Sequence, residues 1–384
     1  MPVISESADP AAELGRLRER LVQWLTRSAY PRWALYGVDD RSGGFFEALG
    51  RNGRGLELPR RARVHPRQIY AFAQAHRFGW RGDPTRIVRR GIEYFTTYYA
   101  RTDGLFRALV DVNGAPLDER ALLYDQAFAL LGYAGAAGTL TASAIFEQRA
   151  LELRAAIESR FRAPQGGFRA DEAASGRRES NAHMHLLEAC LTWAELGRDG
   201  GWTRWANELV DLALGRFIRQ ESGALGEFFD ASWNPAPGTA GRLIEPGHQF
   251  EWAWLLLKSP WARAEPIKSA ALRLIGVGER GIRNQVAVNS LFDDFSIHDP
   301  NARLWPQTER LKAALLAAKL TGQAQYESIA RSAAASLMPY LATPVAGLWF
   351  DVQLPSGELL ETPAPASSFY HLVGATAALD EFRD

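Results

Sequence analysis

Four of the seven histidines in this chain, His183, His185, His248 and His371, fall in stretches that also hold carboxylates, arginine or amides. Imidazoles in such company are suited to moving protons near neutral pH, because the free side chain titrates at about 6.5. His248 and Glu251 are three positions apart, which on a helix puts both on one face and lets the carboxylate orient the ring. His183 and His185 diverge on a helix, so only one faces a centre easily. His185 is favoured, with His183 a second ligand-facing or packing residue. Arg67 could hold a developing oxyanion. Gln68, Asp125, Gln126, Glu309, Ser367 and Ser368 complete a set of polar side chains near helix starts, and Trp305 could stack on an apolar face such as a sugar's. Trp33, Trp252, Trp254 and Trp349 could do the same, although core packing is the commoner role. His65, His76 and His298 read as structural or solvated.

These residues need a common scaffold, and a repeat supplies one. A glycine-containing excursion recurs six times at a spacing of about 60 residues, starting at Gly43, Asp103, Gly166, Gly223, Gly281 and Gly347. Asn113-Gly114 and Ser356-Gly357 give two copies turn chemistry. Mostly apolar helices are predicted from about Pro66, Tyr124, Asn181, Pro246, Pro306 and Ala366, with Pro66 and Pro306 suited to a first helical position and Asn181 to an N-cap. Between them lie helices with one charged and one apolar face. Twelve helices alternating in this way predict an all-α (α/α)6 barrel over 1–384 as one domain, apolar helices inside, amphipathic ones outside. Parallel inner helices would gather their amino termini, and the polar set, at one rim. A helix amino terminus favours the neutral, basic imidazole.

Composition narrows the function. The 384 residues carry 44 Lys and Arg against 44 Asp and Glu, so no global charge argues for nucleic acid or an anionic membrane. A single cysteine, Cys190, excludes an internal disulfide and a thiolate cluster; it reads as a small buried hydrophobe. The amino terminus lacks a secretory pattern and no apolar run spans a bilayer, so a cytoplasmic protein is expected, with no membrane or nucleic-acid partner and homo-oligomerisation open.

The segments VHPRQIYAF, SNAHMHLLEA, EPGHQFEWAWLL, RLWPQTERLKA and PASSFYHLVGA, in that order, resemble the N-acylglucosamine 2-epimerase superfamily, from about Trp33 to Ala378. That group includes sugar 2-epimerases, cellobiose 2-epimerases and aldose-ketose isomerases acting on mannose. The WPQTE and PASSFYHL segments are nearest the mannose isomerase branch. The resemblance implies a metal-independent reaction through a cis-enediol, with no cofactor. It implies that His248 and His371 are the acid-base pair, that Arg67 holds substrate oxygens, and that His185 assists ring opening or substrate binding. His248, His371, His185, Glu251 and Arg67 are therefore the expected catalytic residues. His183, Glu309, Trp305, Asp125 and Gln126 are the expected substrate-binding ones, with no metal ligand. No GxxxxGK[ST] phosphate loop is present.

An aldose-ketose isomerase acting on D-mannose, or on a relative such as D-lyxose, is the leading expectation, with a 2-epimerase close behind because both pass through the same intermediate. A glycoside hydrolase could draw on Asp125, Glu251 and Glu309 but would have no use for four rim histidines. A binding protein without activity would not need the arginine and histidines together.

Overall fold

The computed structural model describes residues 10–172, 176–197 and 199–382. Its outer helices form where the two-faced pattern predicts. In α4 (Pro84–Tyr98) the buried side chains Ile87, Val88, Ile92, Tyr94 and Phe95 recur on one side; Asp83 caps the start, its carboxylate accepting from the Arg86 N–H at 2.9 Å. The other outer elements are α1 (Pro10–Trp24), running through a π turn at Leu25–Ala29 into α2 (Tyr30–Tyr36), then α6 (Ser143–Phe161), α8 (Gly201–Leu212), α10 (Glu265–Glu279) and α12 (Ala324–Leu337).

The inner helices are α3 (Val64–Ala73), α5 (Leu123–Thr139), α7 (Ser180–Leu196), α9 (Pro246–Lys258), α11 (Leu304–Thr321) and α13 (Ser367–Glu381). They are buried on nearly every side, as helices inside a ring must be. Each packs on the next, and α13 packs on α3, which closes the (α/α)6 barrel. Close approach sets a residue: a Cβ at Gly132 of α5 would lie 2.8 Å from the Pro66 Cβ of α3, so only glycine lets these helices meet.

Two expectations about helix starts need correction. Pro66 and Pro306 are third, not first, in α3 and α11, a place proline also tolerates because first-turn N–H groups have no helical acceptor. Asn181 lies within α7 rather than capping it; the N-cap is Glu179. Cys190 is wholly buried. No helix among the described residues is long and apolar enough to cross a membrane.

The six excursions wedge between successive inner helices. Each of five is clamped from the following inner helix by one buried side chain. Phe45 N–H donates to His65 Nε2 at 3.1 Å, and Phe168 N–H to His183 Nε2 at 2.9 Å. Gln126, Gln249 and Gln307 take both the N–H and the C=O of Phe106, Leu225 and Ala287. On the other side, the excursions brace the preceding inner helix: the carbonyls of Glu47, Glu227 and Asp351 accept from Ala366, Ser180 and Leu304. Ala48–Leu49 pairs antiparallel with Ala364–Pro365, so the loops close the ring as the helices do.

Candidate active site

The starts of the inner helices surround a polar cavity of about 370 Å³. Of the residues expected at the site, Arg67, His185, His248, Glu251, Trp305 and His371 line it. Ser367 and Ser368 do so as well.

His248, in the first turn of α9, is buried, and its Nδ1 is 2.7 Å from Glu227 Oε2, with Glu245 at 3.8 Å. Burial and the helix terminus both oppose a charge on the ring. Glu227, then Glu245, outweigh them and push its pKa up to about 10, so His248 is an imidazolium at neutral pH. The carboxylate that orients it is therefore Glu227 and not Glu251, as the three-residue spacing had suggested. Sharing a helix face brings His248 and Glu251 to the same cavity without bringing them into hydrogen-bond contact.

His371 is built alike but charged differently. Its Nδ1 is 2.9 Å from Glu309 Oε1, while Glu309 Oε2 accepts from Lys312 Nζ at 2.7 Å. Burial pulls its pKa down to about 4 against the pull of Glu309, with Arg67 and Lys312 adding to the fall. The ring is neutral, and with Nδ1–H on Glu309 its Nε2 carries a free lone pair. The Trp305 ring packs against both imidazoles, 5.2 Å from His248 and 5.5 Å from His371 between centroids.

His185 is neutral, its pKa brought down to about 3 by burial. Its Nδ1 is 3.4 Å from Glu188 and 3.9 Å from Glu251. Among the described residues Glu251 has no hydrogen-bond partner for Oε1; burial, with Glu309 and Glu188 nearby, holds its pKa far above the usual range, so it carries a proton. Arg67 lies over the Phe128 ring at 4.1 Å and donates to the Tyr124 hydroxyl and the Ser367 carbonyl. Histidine and glutamate donor atoms gather in three groups here, close enough to chelate a cation: His185, Glu188 and Glu251; Glu227, Glu245 and His248; Glu251, Glu309 and His371. We do not read them as ligands, because each Nδ1 already faces a carboxylate and Lys312 already balances Glu309.

Four expected substrate-binding residues stand behind the wall. Gln126 and His183 are loop clamps, their hydrogen-bonding capacity spent on Phe106, Phe168 and the Glu179 carbonyl. Asp125 is wholly buried beside Arg63 Nε at 3.1 Å, and Glu309 faces His371 and Lys312. Trp33 and Trp349 stack on each other at 4.8 Å in the core, and Trp252 is buried. His65 is a clamp, whereas His76 and His298 are exposed.

Sequence reasoning missed Glu227, Glu245, Asn181, Tyr124, Asp351, Lys312 and the arginines Arg61, Arg63 and Arg303. Repeat phase would have found Glu227: Glu47, Glu227 and Asp351 occupy one place in their excursions, each bracing the start of a neighbouring inner helix. Their carboxylates serve Arg61, His248 and Ser368 in turn.

The sequence profile of N-acylglucosamine 2-epimerase (GlcNAc 2-epimerase) matches residues 44–375. The chain belongs to this family. It is similar to the mannose-6-phosphate isomerase of Rhizobium meliloti (strain 1021), 45% identical over 373 residues, covering 94% of this chain and 96% of the relative. Among solved structures, the cellobiose 2-epimerase of Spirochaeta thermophila DSM 6192 matches with a TM-score of 0.86 at 21% identity, over 99% of this chain and 100% of that one. A D-mannose isomerase matches with a TM-score of 0.84, also at 21% identity, over 99% of both chains. These two likenesses establish the family barrel. As a member of this family the protein is an isomerase or epimerase acting on sugars.

Proposed function

We propose that the protein is an aldose-ketose isomerase interconverting D-mannose, or a close relative such as D-lyxose, with its ketose through a cis-enediol. The observation that carries this reading is the pair of buried imidazoles packed against Trp305, His371 held by Glu309 and His248 by Glu227; burial favours the neutral ring at His371, and the carboxylates beside His248 favour the charged one. His371 Nε2 removes the C2 proton of the open-chain aldose, and His248 gives its Nε2 proton to O1, forming the enediol. His371 then delivers its proton to C1 while the O2 hydroxyl proton passes to His248. The ketose leaves, and both residues end as they began. Each such acid-base contribution is typically worth about 10²- to 10⁴-fold. Arg67 steadies oxygen charge, Trp305 packs on the carbon face of the sugar, and His185 with Glu251 serves ring opening or substrate binding.

The 2-epimerase alternative rests on the same pair, because His248 also holds a proton that could be given to the opposite face of C2. Chromatography of the products separates them: a ketose as the main product supports the isomerase, and a C2-epimeric aldose as the main product overturns it. The relative named mannose-6-phosphate isomerase, together with Arg61 and Arg63 on the cavity wall, supports a second substrate form bearing a 6-phosphate. Comparing kcat/KM for D-mannose and its 6-phosphate tests that form directly.

A further inference from the structure

Beneath the cavity floor, Lys312 of α11 has a side chain only 2% exposed. It does not line the substrate cavity. Its ammonium lies 2.7 Å from Glu309 Oε2 and 3.7 Å from the centre of the Trp254 ring. Burying a lysine is costly unless its charge is used. What it meets here is an excess of acid: Glu188, Glu251 and Glu309 are all buried around the same point.

We infer that Lys312 is a positioning residue for the proton transfer, fixing Glu309 as an ionised acceptor and thereby holding His371 in the tautomer whose Nε2 is a base. This rests on the reading of His371 as the base. Three buried carboxylates this close cannot all be ionised, so one keeps a proton. The ammonium stands next to Glu309, and so the proton resides on Glu251, whose Oε1 has no partner among the described residues. Glu309 then accepts the His371 Nδ1–H. Without the ammonium, Glu309 competes for the proton; once protonated it donates to Nδ1 instead. The ring proton then sits on Nε2, facing the substrate, and the base is lost. The groups that face His371 are Glu309 and Lys312 from α11, Arg67 from α3, His185 from α7 and Glu251 from α9.

The test compares Lys312→Met and Lys312→Arg with the unaltered full-length chain. A cavity of about 260 Å³ beside Lys312, walled by Trp254, Leu315 and Leu316, gives the larger guanidinium room. In Lys312→Met, kcat is expected to fall at least about tenfold with KM changed less than about threefold, because Lys312 does not reach the substrate. The acidic limb of the kcat profile should rise by about half a pH unit or more, since the active form now requires Glu309 to ionise unaided. Lys312→Arg should keep the limb and most of kcat, and nitrogen NMR of the histidines should show the His371 proton on Nδ1 there and on Nε2 in Lys312→Met. A folded Lys312→Met with unchanged kcat and a superimposable profile would overturn the inference. So would an equal loss in both variants with an unshifted limb. If Lys312→Met does not fold, Lys312→Gln takes its place, keeping a polar donor beside Glu309 without the charge; the same fall in kcat and rise of the acidic limb are expected, and an unchanged kcat with a superimposable profile would overturn the inference. His371→Asn, assayed alongside, separates the two levels: if it is active the reading of His371 as the base fails, and if it is inactive while Lys312→Met is unaltered only the role of Lys312 fails.

Discussion

His248 and His371 bring the same side chain to one cavity and stand there in opposite protonation states, because Glu227 and Glu245 flank the first while burial, Arg67 and Lys312 prevail over Glu309 at the second. Replacing either by Asn should remove most turnover, and the double variant should be little worse than either single one, since paired groups act as a unit; steady-state kinetics checks this. The charge on His248 also sets a pH dependence. Its folded pKa is raised to about 10 from 6.5, so while Glu227 stays ionised its attraction to His248 contributes fully to stability at about pH 6.5 and fades as pH rises through about 10. The alkaline limb of kcat/KM should follow His248 losing its proton. In Glu227→Gln that limb should move down by at least about one unit, because the nearest carboxylate is gone; an unmoved limb would assign it to another group. His185, His248, His371 and Trp305 were legible as cavity residues because His and Trp are scarce in the chain, and Arg67 and Glu251 because they fall near the same helix starts. Glu227 and Lys312 were not: one comes from a loop, the other from a helix interior, and only the fold brings them to the rings.

At the scale of elements, the inner helices do two jobs with adjacent residues. His248 faces the cavity while Gln249 clamps the Leu225 backbone, and Arg67 faces it while Gln68 donates to the Ala366 carbonyl. This division explains why a polar residue near a helix start can read as a ligand: the clamps satisfy buried loop N–H and C=O groups and must be polar for that reason alone. Gln126→Leu should cost about 2 kcal/mol of stability by urea unfolding, since two backbone groups of Phe106 lose their partners. KM should stay unchanged; a large rise in KM at full stability would return Gln126 to the substrate.

For the whole molecule, the 60-residue repeat made the barrel legible, because a chain that alternates apolar with two-faced helices has only the ring in which to bury the first kind without caps. The seam was less legible, since it depends on contacts between the two ends of the chain. There Trp33 Nε1–H donates to the Gly347 carbonyl at 3.1 Å, and α1 packs on α12 and α13. Gly347 has φ +87°, and a Cβ there would lie 2.5 Å from the Ser28 carbonyl oxygen. Gly347→Ala should therefore lower stability by about 1–3 kcal/mol in thermal or urea unfolding, with kcat little changed in the fraction that remains folded. In the proposed reaction the ring, its loops and its seam hold two imidazoles about one sugar, and the direct measurement is isomerisation of D-mannose in D2O. Deuterium is followed by NMR at C1 of the ketose until the reaction has turned over many hundreds of times. Proton transfer through His371 is expected to place solvent deuterium at that carbon; a ketose still free of deuterium after so many turnovers would mean that the original hydrogen travels directly between C2 and C1, and would contradict the enediol mechanism.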